Sequence, residues 1–77
     1  MLDKRLVDAM SRILGRTTEG ITPATSQENT GEWDSLGHLR LILEIEAVFG
    51  IRFSTAEIPE LTSATCLQAA LKSRGVC

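Results

Sequence analysis

Between Asp34 and Gly50 runs the most apolar stretch of this 77-residue chain, and its periodicity constrains the fold more than any other feature. At about 100° per residue, with Leu36 as zero, Leu41, Ile42, Ile45, Val48 and Phe49 fall between about 120° and 240°. That arc predicts a core face. Leu36, Leu43 and Ala47 fall within about 20° of zero, with Leu39 flanking them, on the opposite side. The spacing predicts a helix over 35–49, with Asp34 as N-cap and Gly50 as terminator. A helix apolar on two faces is either wholly surrounded or offers its second face to a partner. A chain with so few elements has little to surround a helix with, which favours the partner.

The rest of the chain supplies those few elements. Leu2, Leu6, Ala9, Met10, Ile13 and Leu14 share one face of a helix predicted over 2–15. Lys4, Asp8, Ser11 and Arg12 lie opposite, and Gly15 is a plausible C-cap. A long polar connection then runs from Arg16 to Trp33, with Ile21 and Trp33 as its expected apolar pins. Ser54-Thr55-Ala56-Glu57 matches a capping box, but Pro59 limits the helix that follows to about one turn, over 55–59. A last helix over 63–74 is expected to turn Cys66, Leu67, Ala70 and Leu71 inward. The expected fold is all-α: one domain, 1–77, holding a small bundle of three main helices plus one short helix, with a long loop between the first two. A chain this short buries only about 60–65% of its unfolded surface, so the core is expected to be thin.

Several functions are disfavoured on composition. The net charge is −2 with no basic cluster, which argues against a nucleic-acid partner. The opening residues Met1-Leu2-Asp3-Lys4-Arg5 lack the apolar run of a signal peptide, and no segment is long enough for stable membrane insertion. A cytoplasmic monomer is the expectation. Two cysteines, Cys66 and Cys77, and one histidine make neither a disulfide framework nor a metal motif, and Cys66 reads as a small buried hydrophobe. A hydrolase built on Ser35 and His38 is disfavoured, because Asp34 adjoins Ser35 and cannot easily orient His38. The chain also has no nucleophile elbow.

The remaining signal is Trp33-Asp34-Ser35-Leu36 at the head of the second helix. Ser35 follows a good N-cap, in a turn with unpaired N–H groups at the positive end of the helix dipole. A phosphate esterified to Ser35 would sit in a favourable field there. The plain alternative is a helix start and nothing more.

The surroundings add to it. Leu39-Arg40-Leu41-Ile42-Leu43-Glu44-Ile45-Glu46, Phe49-Gly50-Ile51-Arg52-Phe53, Leu67-Gln68-Ala69-Ala70-Leu71 and the upstream Ile21-Thr22-Pro23 follow in order. Together these residues resemble an acyl carrier protein over residues 2–74. The resemblance implies a non-catalytic carrier, with Ser35 esterified to 4′-phosphopantetheine by a phosphopantetheinyl transferase that uses coenzyme A and magnesium. The thiol of that arm would hold acyl groups as thioesters for acyl-activating, acyltransferase or ketosynthase enzymes of fatty-acid, polyketide or related lipid biosynthesis. Asp34 matches the family aspartate that caps the helix and presents the serine. Leu36 matches an apolar position that contacts enzymes, and Leu39, Arg40, Leu43 and Ala47 extend that partner face. A peptidyl or aminoacyl carrier, such as a D-alanyl carrier, shares the same features. From another class, so does an unmodified helical adaptor.

Four residues depart from the resemblance. Carriers of primary fatty-acid synthesis have a markedly acidic second helix, whereas this one holds His38 and Arg40 near the arm, with Arg52 just beyond. That pattern suggests a specialised carrier. Gly37 costs roughly 1 kcal/mol against alanine inside a helix, and it either loosens the first turn or admits the loop closely. His38, at about 200°, points towards the junction of loop and core, which favours a structural histidine over one serving the phosphodiester.

Overall fold

Asp3 sets where the first helix begins. In this computed structural model, which describes residues 2–77, Asp3 is extended and its carboxylate accepts the Arg5 N–H at 2.8 Å. Helix α1 therefore runs Lys4–Leu14, two residues shorter at its start than expected. Gly15 closes it in the left-handed conformation, φ 67°, which favours a residue without Cβ. Helix α2 spans Ser35–Phe49 between the Asp34 cap and left-handed Gly50. Helix α3 spans Ala64–Ser73, its first turn capped by the Ser63 hydroxyl, which accepts the Cys66 N–H at 3.1 Å.

The three helices close on one core. Leu6, Met10 and Leu14 of α1, Leu41, Ile42 and Ile45 of α2, and Leu67 and Leu71 of α3 are buried together with Trp33. Each such side chain contributes about 1.5–3 kcal/mol through burial. No β-strand forms among the described residues. The architecture is the expected small all-α bundle.

Four details differ from expectation. The short element over 55–59 is a turn running into a 3-10 segment, Ile58–Glu60. The capping box forms there, with Ser54 N–H donating to Glu57 Oε1 at 2.8 Å and Glu57 N–H to the Ser54 hydroxyl at 3.3 Å. Pro59 nevertheless stops the helix from extending. Val48 is exposed: the buried arc of α2 spans only about 140–240°, and Val48 sits beyond its rim. Cys66 is also exposed, because the buried set of α3 is Ala64, Leu67 and Leu71, and Cys66 lies about 100° around from Leu67. Ala70 is only partly buried.

The long connection is anchored at both ends and in its middle. Ile21 and Trp33 are buried, as expected of the pins. A second 3-10 turn, Thr18–Gly20, leads into it. Its centre pairs with the approach to α3: Ala64 N–H donates to Thr25 O, and Gln27 N–H to Thr62 O, both at 2.8 Å. These two bonds flank a single antiparallel bridge between Ser26 and Ser63. Asn29 ties the turn internally, accepting the Ser26 N–H and donating to Ala24 O. These bonds pair backbone groups at the centre of the loop.

Candidate functional site

The site is built outward from the cap of α2. Asp34 is extended, and its Oδ1 accepts the Gly37 N–H at 2.8 Å. Its carbonyl accepts the His38 N–H at 2.7 Å. The first bond thus pairs one of the four N–H groups that a helix start leaves over, and the second is the first regular bond of the helix. The N–H groups of Ser35 and Leu36 have no acceptor among the described residues. Ser35 is exposed, and among the described residues its hydroxyl makes no hydrogen bond. It is a free primary alcohol beside two free N–H donors, at the positive end of a 15-residue helix.

Below the serine the structure is locked. Trp33, only 1% exposed, donates its Nε1–H to His38 Nδ1 at 2.9 Å. With Nδ1 accepting, the His38 proton resides on Nε2, which donates to Ile58 O at 2.7 Å. The two rings stack with centroids 6.0 Å apart. His38 is therefore a structural residue that joins the loop, α2 and the 3-10 turn. Both ring nitrogens are engaged away from Ser35.

Gly37 answers to close packing. A Cβ built there would lie 2.6 Å from the Glu32 carbonyl oxygen and 3.2 Å from Asp34 Oδ1. The loop backbone lies directly on the first turn of α2, and only glycine admits it. Glu32 also forms an ion pair with Arg16 at 2.9 Å. Its own backbone N–H, and then the Arg16 guanidinium, hold the Glu32 carboxyl below the usual carboxylate range.

The second apolar face of α2 is open to solvent. Leu36, Leu39 and Leu43 are 60%, 52% and 57% exposed, and Arg40 and Ala47 are exposed beside them. These five residues form one continuous stripe leading away from Ser35. At its far end an open groove of about 190 Å³ is lined by Leu43, Glu46, Ala47, Ile51 and Arg52. Sequence periodicity located the stripe but missed the groove, because Ile51 and Arg52 reach it only after the chain reverses at Gly50. Close packing of the loop was one of the two readings open for Gly37; that Glu32 is the residue it meets depends on where the loop lies. The isolated glycine in the first turn was the one available signal.

Three helices, a pinned first loop and a solvent-facing serine at the head of the longest helix define an acyl-carrier-like fold. Over residues 4–69 the chain matches the family described as phosphopantetheine attachment site, and it belongs to that family. Its prosthetic group is covalently attached 4′-phosphopantetheine. The exposed hydroxyl and free N–H donors at the start of α2 suit a phosphodiester, so the residues present fit the group. The protein is a phosphopantetheine carrier, and its class of partners comprises a phosphopantetheinyl transferase and biosynthetic enzymes. No curated protein matches the chain. Among the described residues, no helix is long and apolar enough to cross a membrane.

Proposed function

We propose that this chain is an acyl carrier protein whose arm is attached at Ser35. On this reading the chain does no catalysis and is itself the substrate of enzymes for fatty-acid, polyketide or related lipid synthesis. One observation carries the attachment: Ser35 is the solvent-facing hydroxyl at the N-terminus of α2, directly after the Asp34 cap and beside unpaired N–H groups. When bound, the group supplies a terminal thiol that holds acyl cargo as a thioester.

The residues of the chain do the rest. Asp34 secures the first turn by accepting the Gly37 N–H, which fixes the direction of the Ser35 side chain. The Trp33–His38–Ile58 relay holds that turn on the core, so the serine is presented from a rigid base. Leu36, Leu39, Arg40, Leu43 and Ala47 meet the acyl-activating, acyltransferase or ketosynthase partner. Tethering at one end of this stripe raises the effective concentration of cargo at whatever enzyme docks on it.

The test is intact-protein mass spectrometry after incubation with coenzyme A, magnesium and a broad-specificity phosphopantetheinyl transferase. The wild-type protein gains the mass of one phosphopantetheinyl group, and Ser35→Ala gains nothing. No gain on the wild type, or a gain that persists in Ser35→Ala, overturns the attachment.

A further inference from the structure

The charge that α2 presents to a partner is more positive than the charge counted along its sequence. Two acids and one arginine lie on α2, and a second arginine follows it. Only Glu44 is neutralised within the molecule; Glu46 keeps its charge and lines the groove beside Arg52. Glu44 forms an ion pair with Arg12 of α1. Glu46 accepts the Phe53 N–H at 2.8 Å through its Oε2. Arg40 and Arg52 are exposed and, among the described residues, belong to no ion pair. Arg40 lies about 40° from Leu36, within the apolar stripe, and Arg52 lines the groove at its end. The exposed leucines are thus edged by two guanidinium groups in no ion pair and, at the groove, by the single Glu46 carboxylate, although the whole chain carries −2.

We infer that the partner docking on this face is a protein surface whose apolar side chains are bordered by carboxylates, positioned to meet Arg40 and Arg52. The inference rests on the carrier reading and adds the sign of the partner's charge. Charge complementarity selects this occupant: a basic partner surface would place like charges against both arginines, and such juxtaposition is penalised. A second copy of this chain is disfavoured by the same argument, since a two-fold pairing through the stripe brings the Arg40 side chains of both copies together. An anionic lipid surface is disfavoured because two free cations fall short of the roughly four to eight that mark lipid recognition. The groove between α2 and Ile51 also suits an inserted side chain better than a flat surface.

The test uses two synthetic helical peptides with the same leucine stripe, one rimmed by glutamates and the other by lysines. Each is titrated into the isotopically labelled full-length protein and followed by amide chemical shifts. The glutamate-rimmed peptide should bind about twofold to thirtyfold more tightly, the range for two exposed ion pairs. Its shifts should map to residues 36–47 and 51–52. The preference should collapse at about 1 M salt and reverse in Arg40→Glu/Arg52→Glu, with helix content verified by circular dichroism. Equal binding, a lysine preference, shifts elsewhere or no binding by either peptide overturns the inference. So do shifts of these amides on self-association, or on adding phosphatidylserine vesicles in preference to either peptide. Neither peptide engages the arm, so failure here leaves the Ser35 mass result standing, and the reverse holds.

Discussion

Replacing Gly37 with alanine separates a packing argument from a propensity argument, because the two predict opposite signs. Gly37 is the third residue of α2, where alanine would ordinarily stabilise a helix by about 1 kcal/mol. Here the added Cβ lands 2.6 Å from the Glu32 carbonyl oxygen, and that atom belongs to backbone, which cannot rotate aside. The loop must retreat by the better part of an ångström to reach ordinary contact. Overpacking of this kind costs about 1–3 kcal/mol. The same Cβ crowds Asp34 Oδ1 at 3.2 Å, so the cap is disturbed as well, and a lost cap costs about 0.5–2 kcal/mol. Both costs outweigh the propensity gain. The expected net loss is about 1–2 kcal/mol, which lowers Tm by roughly 5–15 °C for a domain of this size. Thermal unfolding followed by circular dichroism measures it, and the amide shifts of Glu32, Trp33 and Ser35 should move together. A Gly37→Ala protein as stable as the wild type, or more so, would refute the close-packing account.

Two further outcomes follow from the same neighbourhood and its supports. His38→Phe leaves the buried Trp33 Nε1–H without its acceptor and Ile58 O without its donor, and should cost about 1–3 kcal/mol in urea unfolding followed by Trp33 fluorescence. An unchanged midpoint would remove the relay from the account of how the site is held. The second outcome is an acid limb of stability. The Ser54 N–H and then the Arg74 guanidinium hold the Glu57 carboxyl below its ordinary range, and Arg5 does the same for Asp3. A carboxylate depressed in the folded state contributes stability above its unfolded pKa and loses it as pH falls through the folded value. Urea midpoints should therefore decline below about pH 4. Glu57→Gln, which keeps an acceptor for Ser54 but cannot titrate, should flatten part of that decline.

The features legible in the sequence were those with local causes. Asp34, Gly15 and Gly50 mark helix ends through bonds and dihedrals within a few residues, so α2 lies where its caps placed it. Ile21 and Trp33 were readable as pins because apolar residues in a polar loop have few other places to go. What escaped depends on non-local placement. Periodicity put Val48 and Cys66 inside, yet whether an edge position is covered depends on which element packs beside it. The Ser26–Ser63 bridge joins segments 37 residues apart, and no local pattern announces it. The Trp33–His38–Ile58 relay could be half-read from the direction of His38, but its acceptor lies on a turn that only the fold brings near.

Charge shows the same division with a larger functional consequence. Counting residues gives a mildly acidic chain, and two glutamates on α2 reinforce that impression. A partner does not meet the count, however; it meets charges that are both exposed and uncommitted. Glu44 is committed to Arg12 of another helix, and Glu46 to a backbone N–H beyond the Gly50 reversal. Neither commitment can be inferred from helix spacing, because each partner comes from a different element. Arg40 sits opposite the core-facing arc of α2, and Arg52 sits at the open groove with Glu46, and among the described residues neither is in an ion pair. Folding thus pairs Glu44 with another helix and leaves Arg40 and Arg52 in no ion pair beside the exposed stripe, with Glu46 at the groove. The charge exposed beside the stripe is therefore set by which groups the fold leaves unpaired as well as by the composition of α2.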